Sequence, residues 1–252
     1  MVKPKIGAQL IIWGNRILKD LPGVLDEVSS IGYDGVETSP TAFERATDPK
    51  GLLVARGLSL AGLHMGLGNV DERSIEAALD ILQEMDGRYL LFSGAGGEEN
   101  NEENYRRNAR FLEKAGKKAQ EYGVKVCYHN HWQEIVKNAM GIRIICEETS
   151  PELVSLCIDT YWVRCGGLSP VEFIREHLDR LAYLHLKDGT EEGMRKHEFL
   201  ELGQGKIDFP AIIDVAKSAD IEWYVVEQDT TDKTPKESMA VSRKYLRERL
   251  GL

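Results

Sequence analysis

The sequence predicts an α/β protein, a single closed (β/α)8 barrel occupying residues 1–252. Three observations predict it. Eight short apolar runs alternate with helical patterns from end to end, which argues for βαβ units and a parallel sheet. The length of 252 residues matches a barrel of about 250 residues. Six of the runs finish on Glu37, His64, His129, Asp159, His185 and Glu227. In a closed parallel barrel all strand C-termini emerge on one face, where such distant residues would converge. Pattern alone leaves a doubly wound open sheet as the alternative.

The runs, in order, begin with Ile6-Gly-Ala-Gln-Leu-Ile-Ile-Trp13, Gly35-Val-Glu37, Leu58-Ser-Leu-Ala-Gly-Leu-His64 and Tyr89-Leu-Leu-Phe-Ser93. Val124-Lys-Val-Cys-Tyr-His129, Val154-Ser-Leu-Cys-Ile-Asp159, Leu181-Ala-Tyr-Leu-His185 and Trp223-Tyr-Val-Val-Glu227 follow. Between them, helical spacing covers Leu21–Ile31, Glu72–Met85, Glu103–Tyr122, Pro170–Leu178, Pro210–Ala219 and Pro235–Leu250. Ser169-Pro-Val-Glu172 and Thr234-Pro-Lys-Glu237 each supply an N-cap hydroxyl, Pro at the first helical position and Glu at the third. Gly32, Gly57 and Gly123 stand where helices should stop. Linkers and short-period repeats are absent from the pattern.

Composition narrows the function classes. Hydrophobic residues make up 42% and charged residues 29%, as in globular proteins. No apolar run approaches the ~20 residues of a membrane span. The start, Met-Val-Lys-Pro-Lys, lacks an apolar signal core, so the expected location is cytoplasmic. The net charge of −9 comes without a basic stripe, which argues against nucleic acid as a partner. A small-molecule ligand is expected, with no membrane partner; a homo-oligomer is left open. Cys127, Cys146, Cys157 and Cys165 form no C-x-x-C pair and read as reduced thiols, Cys127 and Cys157 inside buried strands. The loops carrying Gly66, Gly68, Gly94, Gly96, Gly97, Gly166, Gly167, Gly203 and Gly205 lack a P-loop or dinucleotide fingerprint and read as tight turns around a pocket.

His129, Asp159, His185 and Glu227 together offer two imidazoles and two carboxylates. Such a mixed nitrogen and oxygen set suits a transition metal better than Mg²⁺ or Ca²⁺. Capping of the next helix is the competing use for Asp159, His185 and Glu227.

Six motifs occur in order: Gly32-Tyr-Asp-Gly-Val-Glu37, Tyr128-His-Asn-His131, Ile158-Asp-Thr-Tyr-Trp162, His185-Leu-Lys-Asp188, Leu202-Gly-Gln-Gly-Lys-Ile-Asp208 and Val226-Glu-Gln-Asp229. Their order resembles the sugar phosphate isomerase/epimerase superfamily, the xylose-isomerase-like TIM barrels, over essentially the whole chain. That group includes tagatose and psicose epimerases, inosose dehydratases and endonuclease IV. The resemblance implies a divalent metal held by His129, Asp159, His185 and Glu227, with Mn²⁺ the first expectation and Co²⁺, Fe²⁺ or Zn²⁺ as alternatives. It also marks two departures. The epimerases carry Glu where this chain has His129, and His where it has Trp162. The Tyr-His-Asn-His form resembles the inosose dehydratase side of the superfamily.

The remaining candidates each carry two readings. His131, two residues beyond His129, could face inward as an acid or base or serve as a structural histidine. His64 resembles a substrate-contacting histidine. Lys187 could protonate or polarise a carbonyl oxygen, or be a surface lysine. Glu37 could bind a sugar hydroxyl or cap a helix, and Glu134 could contact a substrate oxygen or lie in a solvated loop. Trp13 and Trp162 could wall a sugar ring or pack in the core. His177 and His197 are expected to be exposed.

The expected activity is metal-assisted enolisation of a keto-sugar or related carbohydrate by an isomerase or epimerase. Glu227 or His131 would take the α-proton, and His64 or Lys187 would manage the oxygen proton. A lyase, either an inosose-type dehydratase or a keto-glycoside eliminase, is the alternative on the same residues. A non-catalytic sugar-binding barrel and a DNA-repair endonuclease rank below both.

Overall fold

The computed structural model describes residues 3–252. Eight strands close into a barrel in sequence order, every neighbouring pair parallel. They are β1 (Lys5–Gln9), β2 (Gly35–Thr38), β3 (Ser59–Gly66), β4 (Tyr89–Ser93), β5 (Lys125–His129), β6 (Val154–Asp159), β7 (Leu181–Leu186) and β8 (Trp223–Val226). The helices are α1 (Arg16–Lys19), α2 (Leu21–Ile31), α3 (Pro49–Val54), α4 (Glu72–Glu84), α5 (Glu102–Glu121) and α6 (Trp132–Glu148). Next come α7 (Thr160–Cys165), α8 (Pro170–Glu176), α9 (Glu191–Met194), α10 (Phe209–Ala216) and α11 (Pro235–Leu250).

The strand and helix patterns appear where the spacing put them apart from a residue or two at some ends, the short helices α1, α3, α7 and α9 are additional, and two larger differences stand out. The first apolar run is not one strand: β1 stops at Gln9 and Leu10–Trp13 turns as a 3-10 helix. Helix α6 was not expected. It is interrupted at Lys137, Asn138 and Ala139, whose φ values are 55, 57 and 53°. A left-handed turn of non-glycine residues breaks the 3.6-residue apolar period by which a helix is recognised. Both motif-based N-caps form: Ser169 accepts from Glu172 N, and Thr234 with Glu237 closes a capping box.

Two apolar layers hold the barrel. The larger lies between strands and helices; the smaller fills the barrel interior with Tyr89, Leu91, Cys127, Cys157, Tyr183, Trp223 and Val225. Bulk in that interior comes mainly from β4, β7 and β8. Glycines on the facing strands make room for it. A Cβ at Gly35 would sit 2.6 Å from the Trp223 ring, and one at Gly7 would sit 2.7 Å from Val225. The interior is thus a packed plug beneath the C-terminal mouth.

Candidate metal centre

His129, Asp159 and His185 belong to β5, β6 and β7, and Glu227 follows the last residue of β8. The register pairs Asp159 with His185. All four are buried, and one ligand atom from each lies within 4.8 Å of the others. His129 Nε2 is 3.6 Å from Asp159 Oδ2 and 3.8 Å from Glu227 Oε2. Bonds of ~2.1 Å to a tetrahedral ion would separate neighbouring donors by about 3.4 Å. His185 Nδ1 directly faces Glu227 Oε2.

Among the described residues, donor atoms of all four side chains lack a hydrogen-bond partner. His129 Nδ1 and Nε2, Asp159 Oδ2, His185 Nδ1 and Glu227 Oε2 are all buried without one. Buried polar atoms are normally satisfied, so this convergence fits a cation. Nitrogen and carboxylate donors suit a transition divalent ion. Crowding points the same way. Burial, reinforced by Glu227, pushes the Asp159 carboxyl up to about 6, although Lys187 opposes the shift.

The surrounding residues fix each donor's remaining atoms. Asp159 Oδ1 accepts from Trp162 N at 2.8 Å, capping α7. Capping and ion holding therefore use different oxygens of one carboxylate. Asn130 Oδ1 accepts from Asp159 N at 3.0 Å. Glu37 is fully buried and divides its carboxylate between two histidines. Its Oε2 lies 2.7 Å from His185 Nε2 and its Oε1 lies 3.0 Å from His64 Nδ1. A proton on His185 Nε2 leaves Nδ1 as the lone-pair donor, the carboxylate–histidine–metal relay. Burial works against Glu37 ionising, but His185 and His64 hold its pKa down at about 2.

Above the quartet opens a cavity of about 440 Å³. Its polar lining includes His64, Ser93, His131, Glu227 and Asp229; Ile11 and Leu18 form an apolar rim. The size lies within the ~300–1,000 Å³ of small-molecule sites.

A sequence model of the xylose isomerase-like TIM barrel family matches residues 25–249. The chain belongs to that family. Over 99% of this xylose isomerase-like barrel and 98% of the relative, it is 27% identical to an inosose dehydratase of Clostridium tetani. A sugar phosphate isomerase/epimerase from Parabacteroides distasonis superposes with a TM-score of 0.82 at 22% identity, covering 98% of this chain and 95% of that one. A protein called IOLI, solved with a zinc atom, superposes at 0.75 with 17% identity over 97% of each chain.

Within this xylose isomerase-like barrel, several residues expected at the substrate sit elsewhere. Trp13 is 4% exposed and donates its indole N–H to Glu27 at 2.8 Å; it packs under the 3-10 turn, and Ile11 lines the cavity in its place. Glu37 has one oxygen within hydrogen-bond distance of His64 Nδ1 and the other within that of His185 Nε2. Glu134 is 2% exposed and accepts from Tyr128 Oη and His131 N. It anchors the β5–α6 junction, and burial raises its pKa. Trp162 is buried with its ring against His131 and Lys187, supporting them from outside the cavity.

Lys187 is neither a surface lysine nor a free acid. It is 1% exposed and donates to Glu227 Oε1 at 3.0 Å and Asp229 Oδ2 at 2.8 Å. Its ammonium also lies 4.6 Å from the Phe199 ring centre and 4.9 Å from that of Trp162. Burial opposes its charge, but Glu227 and Asp159 keep it protonated.

His131 and His64 do line the cavity. Burial, with His129 beside it, lowers the His131 pKa to about 3, so the imidazole is neutral near pH 7. His197 is exposed as expected, whereas His177 is half-buried, its Nδ1 2.8 Å from Phe173 O.

Sequence reasoning gave no role to Asp188 or Asp229. Asp188 is buried and accepts from the backbone N–H groups of Gly189, Gly203, Gly205 and Ile207. It pins the Gly-rich segment after β7. The Leu202–Asp208 motif contained that signal: a Cβ at Gly205 would lie 2.1 Å from Asp188 Oδ1. Asp229 closes the last motif and sits at the mouth.

Proposed function

We propose that this protein is a divalent-metal-dependent enzyme that enolises an α-hydroxyketone of a carbohydrate, and that loss of water from an inosose-type keto-polyol is its main reaction. The observation that carries this reading is the set of four unpartnered donors, His129, Asp159, His185 and Glu227, at the base of a polar mouth. A bound divalent ion, which Zn²⁺ or Mn²⁺ would suit, supplies Lewis-acid polarisation that makes the proton beside a carbonyl removable near neutral pH.

The chain's own residues do the rest. His131, lining the cavity, is placed to take the α-proton; burial weakens it as a base, and a positioned base tuned near the working pH contributes roughly 10²–10⁴-fold. Glu227 is less suited, since Oε1 is held by Lys187 and Oε2 faces the ligand set. His64 is oriented by Glu37 through Nδ1, leaving Nε2 beside Ser93 Oγ at 3.1 Å to carry a proton to or from a substrate oxygen. A hydroxyl leaves as water when Nε2 of doubly protonated His64 delivers a proton to it, and the site resets when His131 releases the α-proton to solvent and His64 regains one.

Two features favour elimination over two-carboxylate epimerisation. The strand-five position holds His129, a member of the donor set. Both mouth carboxylates, Glu227 and Asp229, touch the same Lys187 ammonium and so share one side. The inosose dehydratase similarity along the whole chain supports the same outcome. Isomerisation or epimerisation is the second reading. It is favoured by His131 and Glu227 lining one cavity from just beyond β5 and β8, so that a proton could leave by one and return by the other.

The test uses Mn²⁺-loaded protein with a panel of inososes and ketoses in D₂O, stripped of metal before NMR and mass spectrometry. Water loss with some inosose is expected. Deuterium exchange with a changed stereocentre and no water loss would favour the second reading. Neither exchange nor elimination with any ketone would overturn both.

A further inference from the structure

The Lys187 ammonium connects the metal centre to a carboxylate that the reaction outlined above does not use. Asp229 is 28% exposed and lines the mouth cavity beside His64, His131 and Glu227. Its Oδ2 is fixed by Lys187 at 2.8 Å, while Oδ1 has no hydrogen-bond partner among the described residues. Lys187 itself is immobilised by Glu227 on one side and by the Trp162 and Phe199 rings on another. Asp229 is therefore aimed, with one acceptor oxygen left for whatever occupies the cavity.

The cavity's charge limits that occupant. Among the residues lining it there is no Arg or Lys, and two are carboxylates. A phosphate ester is normally held by Arg, Lys or a cluster of backbone N–H groups. Beside Asp229 and Glu227 it would meet like charge at short range, and the Lys187 ammonium is already shared between these two carboxylates and does not line the cavity. A hydroxyl meets the opposite situation: it donates to an ionised carboxylate, among the stronger hydrogen bonds available to a neutral ligand.

We propose that Asp229, aimed by Lys187, is a substrate-binding residue that accepts a hydroxyl of an uncharged polyol, and that it selects unphosphorylated carbohydrates over sugar phosphates. This rests on the function proposed above and names the substrate class of the same site. Lys187 is on this view a positioning residue and does not deliver a proton.

The experiment measures binding of unreactive probes to Mn²⁺-loaded protein by calorimetry: myo-inositol, its monodeoxy derivatives and its monophosphates. Wild type should bind myo-inositol at least tenfold more tightly than any monophosphate. One deoxy derivative should bind about ten- to a hundredfold more weakly, the range of one charge-assisted hydrogen bond. In Asp229→Asn and Asp229→Ala that difference should vanish, with manganese affinity within about threefold of wild type. A merely structural role would weaken every probe equally and leave the deoxy difference in place. That result, or equal binding of inositol and its phosphates, overturns the proposal while leaving turnover of inososes intact. Absence of both polyol binding and inosose turnover would instead overturn the function itself.

Discussion

Replacing Glu37 by Gln tests how the metal centre is built, because it keeps volume and removes one acceptor. Glu37 accepts a hydrogen bond from each of two imidazoles, at 2.7 Å from His185 Nε2 and 3.0 Å from His64 Nδ1. A Gln side chain has one acceptor oxygen and one NH₂ group. One histidine must then face an N–H with its own N–H, or change tautomer. If His185 changes, its proton moves to Nδ1, the atom that would bind the ion. A hydrogen bond to a charged group contributes ~1.5–3 kcal/mol, which corresponds to roughly 10- to 100-fold in affinity, as for other partners of ligating histidines. Chelator competition with Zn²⁺ or Co²⁺ measures the change directly, and the Co²⁺ absorption bands report altered geometry. A Glu37→Gln protein that binds metal as tightly as wild type would refute the relay. Loss of metal through unfolding is separable, since the melting curve of the metal-free protein would shift as well.

Four other outcomes are expected. Asp159→Ala, His185→Ala and Glu227→Ala should each lose most of the bound divalent ion on dialysis and elemental analysis, and Asp159→Ala should also lose about 1 kcal/mol with its helix cap. Asp188→Ala abandons four backbone N–H groups, so it should destabilise by about 2–4 kcal/mol and lower Tm by roughly 5–15 °C in thermal denaturation. Gly205→Ala should fall in the same direction, because its Cβ would displace the Asp188 carboxylate. Glu134 has a raised pKa in the folded state, so the native protein holds its proton to higher pH than the unfolded chain. Its contribution to stability should therefore fall as pH rises from about 4.3 through the raised value, and Glu134→Gln should flatten that part of the Tm-versus-pH curve.

The architecture was legible because each strand carries its own boundary. Tyr89–Ser93 and Val154–Asp159 are strands over the residues of their apolar runs, and Gly32 and Gly123 end helices with positive φ. Convergence of His129, Asp159, His185 and Glu227 was expected from strand order in a closed barrel, and the resemblance singled these four out as a ligand set. What lay beyond the sequence was how each polar atom is used. Ending a strand brings Glu37 to the mouth, but only the three-dimensional arrangement shows two histidines consuming its oxygens. Lys187 could be placed two residues after His185, yet its burial between Glu227, Asp229 and two aromatic rings depends on three other segments. Helix α6 was missed for a local reason, the left-handed turn at Lys137–Ala139, which no apolar spacing announces.

The plug formed by Trp223, Val225 and Leu91 against Gly7, Gly35 and Gly62 fills the barrel beneath the mouth. With the interior filled from below, an ion and a polyol held as proposed share one entrance. The ion must arrive first, and an occupied mouth bars its departure. Dissociation of the metal should therefore slow as polyol concentration rises, making the sugar a kinetic latch on the cofactor beneath it.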